Sequence, residues 1–181
     1  MSCATTKGRI QLPCKNAVSG LKALYIAPYD TTEVVGTSST ESGHTVTNLS
    51  AITEFFQYSL KNTANVFDED ATSSSDNGTT KFMQVLQVTL TKLSAEMQYQ
   101  IKMLATGYSR LFVEDNGGTI YAIGLGLGAE FVVKSSIGGT LDGFSGYKLT
   151  ATANETEPFY VLDSASAAWL RTHISTDNIV D

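Results

Sequence analysis

Apolar and polar residues alternate with a period of two over much of this chain. Such alternation predicts strands, because successive side chains of an extended backbone point to opposite faces. Residues 21–27 set Leu24 and Ile26 among Lys22, Ala23 and Tyr25 before Pro28, which lacks the N–H that a ladder needs. Residues 81–91 carry Phe82, Leu86, Val88 and Leu90 on one side and Met83, Val85, Gln87 and Thr89 on the other. Residues 54–67 behave similarly, with Phe56, Tyr58 and Leu60 opposed to Phe55, Gln57, Ser59 and Lys61. The two segments together predict a long hairpin. The acidic stretch DEDATSSSDNGTT at 68–80 predicts its loop, with Asn77-Gly78 as the turn signal.

A helical period appears in one place. Leu93, Met97, Ile101 and Leu104 fall on one face, Ser94 is an N-cap type, Glu96 stands in the positive first turn, and Gly107 is placed to end the helix. Further strands are predicted at 111–114 and 119–125 around the turn Asp115-Asn116-Gly117-Gly118, and at 129–135 and 147–153. In the last of these Tyr147, Leu149 and Ala151 alternate with Lys148, Thr150 and Thr152.

Two stretches break the pattern. Residues 29–53 are rich in Thr, Ser and Gly with few large apolar residues, which predicts a long loop arm, poorly ordered in the monomer. Residues 159–181 read as a C-terminal extension whose apolar pair, Trp169 and Leu170, docks on the chain's own core or on another subunit. With an N-terminal segment 1–20, the expectation is one mainly β domain spanning 1–181: a β-sandwich or partial barrel with one flanking α-helix and long loop arms.

Composition sharpens this. Only 17% of residues are charged while 42% are hydrophobic, and the net charge is −6. An acidic chain is poorly suited to wrapping nucleic acid, whose binding rests on Lys and Arg neutralising phosphates. No apolar run is long enough to span a membrane, and the opening residues lack a signal-peptide pattern, so the expected site of synthesis is the cytoplasm, with no membrane insertion. There Cys3 and Cys14 are expected as reduced thiols. Charge is also unevenly spread. Residues 1–29 hold Lys7, Arg9, Lys15 and Lys22 and no acid, whereas 30–80 hold Asp30, Glu33, Glu41, Glu54, Asp68, Glu69, Asp70 and Asp76 against Lys61. This asymmetry suggests that Lys7, Arg9 and Lys15 of one copy meet Asp68, Glu69 and Asp70 of another, because complementary patches fix register and partner.

Catalytic signatures are sparse. Gly124-x-Gly126-x-Gly128 is not a dinucleotide fingerprint, which needs G-x-G-x-x-G opening a helix, and here a β-like segment follows. The cluster Asp68, Glu69, Asp70 and Asp76 has Ser73 where a calcium loop needs Gly, and it lacks the closing Glu. Two cysteines with His44 and His173 do not make a zinc set, and no G-x-S-x-G elbow accompanies those histidines. The expectation is a non-enzyme with no catalytic, cofactor-binding or metal-binding residues and no cofactor.

Three stretches carry a resemblance: TKGRIQLPCKNAVSGLKALYIA, then LTKLSAEMQYQIKMLATG followed by LFVEDNGGTIYAIG, and finally GFSGYKLTATANETEPFYV. In content and order they resemble the tail tube (major tail) proteins of tailed bacteriophages. That resemblance implies a sandwich with one flanking helix that assembles into hexameric rings. The inner strands of six copies then close a shared barrel, and rings stack through loops and terminal arms. The implied partners are further copies of the chain and other phage tail proteins, in a virion made in the bacterial cytoplasm. DNA would pass through the channel without specific binding. On the predicted long hairpin, Gln57, Ser59, Gln87 and Thr89 become the lumen-facing residues, and Trp169 an apolar contact between subunits. Competing readings are a tail terminator, neck ring or capsid decoration protein, or a β-sandwich module that binds carbohydrate or a receptor.

Overall fold

A computed structural model describes residues 19–40, 43–60 and 64–175. Strand β1 (Leu21–Pro28) lies where the alternation predicts it, and its neighbours build the larger sheet. Later in the chain come β2 (Gly36–Thr40), β3 (Gly43–Asn48) and β4 (Phe56–Ser59), then β7 (Ser109–Asp115), β8 (Ile120–Ile123) and β11 (Tyr160–Leu162). They form a seven-stranded sheet in the order β2-β3-β11-β8-β7-β1-β4, with β11 parallel to β3 and every other pair antiparallel. The β7–β8 turn is the predicted one. Asp115 Oδ1 accepts from the Thr119 N–H at 2.8 Å, and Gly118 supplies the positive φ of 85° that the turn demands.

The second sheet holds β5 (Val66–Ser74), β6 (Thr79–Thr91), β9 (Glu130–Ile137) and β10 (Ser145–Glu155) in the order β5-β6-β10-β9, antiparallel throughout. The two sheets stack as a sandwich and do not close into a barrel. Leu24, Ile26, Leu111, Val113 and Ile123 from one meet Leu86, Val88, Phe131, Leu149 and Ala151 from the other. Helix α1 (Ala95–Thr106) packs beside β9, with Met97 and Ile101 buried and Leu93 and Leu104 against the same core. Its cap is the predicted one, since Ser94 Oγ accepts from the Met97 N–H at 3.2 Å.

A second core covers the far face of the seven-stranded sheet. Tyr25, Phe112 and Ala122 pack there against Val46, Leu49, Ile52 and Phe55, and against Ala167 and Leu170 of helix α2 (Ser164–Thr172). The fold is therefore the expected mainly β sandwich with two helices in place of one. Asp163 caps α2 by accepting from the Ser166 N–H, and the Ser166 hydroxyl donates to the Val46 carbonyl, which fastens α2 to β3.

Three sequence expectations need correction. The 29–53 arm holds β2 and β3, and Val46, Leu49 and Ile52 are buried, because three well-spaced apolar residues suffice when a helix lies over them. The extension after 158 is likewise part of the fold through β11 and α2. Nor do residues 54–67 and 81–91 pair as one hairpin. Tyr58 lies opposite Leu24 and Gln57 opposite Tyr25, which places β4 on β1, while β5 pairs with β6 through the acidic stretch that was expected to be a loop. Alternation shows that a segment is a strand; it carries no information about which neighbour that strand takes.

Candidate assembly surfaces

Register places four rows of side chains on the outer face of the four-stranded sheet. Across β5, β6, β10 and β9 one row reads Val66, Gln87, Thr150, Val132 and the next reads Asp68, Val85, Thr152, Glu130. Asp70, Met83 and Asn154 lie beyond on one side; Thr89, Lys148 and Lys134 lie on the other. Among the described residues no third layer covers this face, and Val132 stays 71% exposed. Lys148 and Lys134 stand directly opposite each other, an arrangement that repels.

Among the described residues no further strand pairs with the outer sides of β5 and β9; Ala129, just ahead of β9, is bridged to Ser109. Each step across the sheet reverses direction, so β5 and β9 run oppositely. Beyond the pair Glu155–Phe82, where β10 ends, β5 and β6 continue alone through Thr72–Lys81, Ser73–Thr80 and Ser74–Thr79. This two-stranded ribbon projects past the sheet and turns at Gly78, whose φ is 62°. An isolated hairpin is marginally stable in water, so such a ribbon gains from a neighbour.

The residues expected in the lumen do not share one surface. Gln87 and Thr89 lie on the outer face just described, but Gln57 and Ser59 lie opposite Tyr25 and Ala23, on the second-core face of the other sheet. Pairing of β4 with β1 is what separates them. Of the acidic trio, Asp68 and Asp70 point outward and are exposed, while Glu69 turns inward. There its Oε2 accepts from Gln84 Nε2 at 3.0 Å and from the Phe159 N–H at 2.8 Å, so Glu69 fastens the chain internally and is unsuited to the expected intersubunit contact. Trp169 docks on its own chain, edge-on to Phe55 at 5.8 Å and stacked on His173 at 3.8 Å, because α2 presents it to the second core. Lys7, Arg9, Lys15, Cys3 and Cys14 lie outside the described residues. Sequence reading passed over Lys134, Lys148 and Val132, whose signal was two lysines at polar positions of neighbouring strands.

Polar clusters elsewhere satisfy one another. The Gly124–Gly128 loop leads into β9, as the strand reading anticipated, with Gly124 at φ 67° and Gly128 at φ 80°. Glu155 Oε1 accepts from the N–H groups of Gly126 and Leu127, and a Cβ on Gly126 would stand 2.6 Å from Glu155 Oε2. Beside this loop a cleft of about 230 Å³ is lined by Glu33, Gln84, Arg110, Glu155 and Tyr160. Arg110, only 3% exposed, donates to Glu33 Oε2 and to the carbonyls of Asp30 and Glu33 while lying over the Tyr29 ring. Its donors tie the 29–33 segment down, and Nε also reaches the Leu125 carbonyl at 3.4 Å.

At the other end of β7, buried Glu114 accepts from Tyr25 at 2.7 Å and pairs with Arg171 at 3.0 Å and Lys22 at 3.4 Å. Burial opposes charge on this carboxyl, but the two hydrogen bonds and the neighbouring cations outweigh it and hold Glu114 below the usual carboxylate range. Burial, and then the bond to Glu114, push the Tyr25 hydroxyl upward. Ser39 Oγ lies 3.1 Å from His44 Nδ1, as cross-strand neighbours on β2 and β3, and the Tyr160 ring packs edge-on to the imidazole.

Among the described residues there is no group of three or more His, Cys, Asp and Glu side chains that could hold a metal, and no helix is long and apolar enough to cross a membrane. Comparison with protein-family models, with curated proteins and with solved structures finds no match to this chain.

Proposed function

We propose that this protein is a structural, non-enzymatic subunit that assembles into stacked rings forming the tail tube of a bacteriophage, a conduit for DNA. The observation that carries the reading is the four-stranded sheet. Its two edges are unpartnered among the described residues and run in opposite directions, and its outer face has no covering layer. Rotation about a ring axis brings β9 of one copy beside β5 of the next, antiparallel like every other pair in that sheet. A heterologous contact of this kind closes into a ring and removes two exposed edges, which would otherwise invite aggregation. In the closed ring the bare face lines the channel, and the projecting β5–β6 ribbon reaches the adjacent ring. Negative-stain imaging of concentrated protein is the direct test. Stacked rings with a central channel are expected; a protein that stays monomeric at high concentration, or that forms a single closed ring and never stacks, would refute the tube reading.

A further inference from the structure

We propose a specific register for the contact between copies. It rests on the ring reading above: β9 of one copy lies antiparallel to β5 of a second copy, with Lys134 opposite Asp70. Pleating restricts the choices, since outward side chains must oppose outward ones, and sliding one strand by a single residue would reverse every face. On β9 the outward residues are Glu130, Val132, Lys134 and Ser136; on β5 they are Val66, Asp68, Asp70, Thr72 and Ser74.

The allowed registers then differ in chemistry. Setting Val132 opposite Val66, level with its own sheet's row, faces Glu130 with Asp68. Sliding by one pleat faces Glu130 with Asp70, so both arrangements oppose like charges on adjacent strands. The next register brings Lys134 to Asp68 but sets Val133 against the inward Glu69 and Ser135 against Phe67. One pleat further, Lys134 meets Asp70, Ser136 meets Asp68, Val132 meets Thr72 and Glu130 meets Ser74. On the inner face Ile137 meets Phe67, Ser135 meets Glu69 and Val133 meets Ala71. Every charged residue then faces a polar or oppositely charged one, and Ile137 and Val133 face apolar residues; the mixed pairs are Val132 with Thr72 and Phe131 with Ser73, and all of β9 is paired. Ile137, which is 78% exposed in the single chain, gains an apolar neighbour. The Lys134–Lys148 repulsion gains a counter-charge. Sliding still further takes Lys134 away from both aspartates.

Closure rules out the level register. Straight across the sheet Val132 is level with Val66, whereas in this register it meets Thr72, an offset of six residues for every four strands. With ordinary strand rise and spacing that offset tilts the strands by about 46°, beside the roughly 35–45° typical of barrels. A register with no offset has no tilt and cannot close.

Cross-linking tests the register on the full chain, in a background of Cys3→Ser and Cys14→Ser. Lys134→Cys with Asp70→Cys should give a ladder of disulfide-linked oligomers under mild oxidation, since opposed antiparallel residues fall within disulfide reach. Val132→Cys with Val66→Cys, and Lys134→Cys with Asp68→Cys, should give little. Lys134→Asp and Asp70→Lys should each abolish rings, and the double exchange should restore them. Rings that form normally while another pair cross-links overturn this register and leave the tube reading standing. If the cysteine-free background chain forms no rings at any concentration, and no pair cross-links, both fall. Single charge exchanges that leave rings intact also overturn the proposal.

Discussion

Along β1 of the seven-stranded sheet five consecutive residues, Ala23 through Ala27, are buried, whereas along β10 of the four-stranded sheet burial alternates, with exposed Lys148 and Asn154 among buried Tyr147, Leu149, Ala151 and Ala153. The difference comes from what each sheet has on its far side. Helix α2 and the turn carrying Leu49 and Ile52 cover the first, so both faces of its central strands are core. Among the described residues the second sheet is covered on one face only, and its other face mixes Val66, Val85 and Val132 with charge. Among the described residues one sheet is covered on both faces and the other is not.

The largest expected break in this contrast comes from truncating the same kind of contact on each sheet. Phe112, fully buried between β1 and β8 and edge-on to Phe55 at 5.5 Å, should cost about 4 kcal/mol on replacement by Ala, in the range for large aromatic truncations. Val85→Ala, on the bare face, should stay within about 0.5 kcal/mol, as surface changes do. Denaturant unfolding of the two variants measures both. Comparable losses would show that the outer face is covered in the monomer, contrary to the contrast drawn here.

Glu114→Ala should come next, at about 3 kcal/mol, because it strands Arg171 and the buried Tyr25 hydroxyl. The figure sits at the lower edge for broken buried pairs because Arg171 and Lys22 are themselves well exposed. The carboxyl's folded pKa is depressed, so its stabilisation is present above the unfolded value, about 4.3, and is lost as pH falls through the folded one. The gap between wild type and variant should therefore be full at neutral pH and narrow on acidification. A gap that does not change between pH 7 and pH 3 would assign the loss to packing and not to charge.

Much of this was legible in the chain, and the failures have physical causes. Strands β1, β6 and β10, the Asp115–Gly118 turn and α1 carry clean periodicity with capping or turn chemistry, and they stand where expected. Strand β5 was hidden because one of its inward residues is Glu69, whose burial is made tolerable by Gln84 and the Phe159 N–H, partners remote in sequence. Helix α2 was hidden by a composition of Ser and Ala, although Asp163 three residues before Ser166, with Ala167 and Leu170 on one face, was a usable signal. The assembly surface was read on two strands that belong to different sheets. Gln87 and Thr89 on β6 lie on the bare face and Gln57 and Ser59 do not, because the partner of β4 is β1, about thirty residues upstream.

A gentler perturbation, small in stability and large in function, is expected on the bare face. If that face lines the channel, DNA passes over Gln87, Thr89, Thr150 and Thr152, while Lys81, Lys134 and Lys148 are balanced by Asp68, Asp70 and Glu130. A balanced lining does not hold DNA, since retention grows with each phosphate neutralised by a surplus cation and every ring repeats the opportunity. Gln87→Arg with Thr89→Arg should alter monomer stability by less than about 0.5 kcal/mol. It should nevertheless make assembled tubes retain DNA at physiological salt, with retention falling steeply as salt rises. Gln57→Arg with Ser59→Arg adds the same charge on the second-core face of the other sheet and should leave tubes as indifferent to DNA as wild type. Retention by the Gln57 and Ser59 double variant alone would reverse the assignment of the two faces, and equal indifference in all three proteins would place the bare sheet outside any channel.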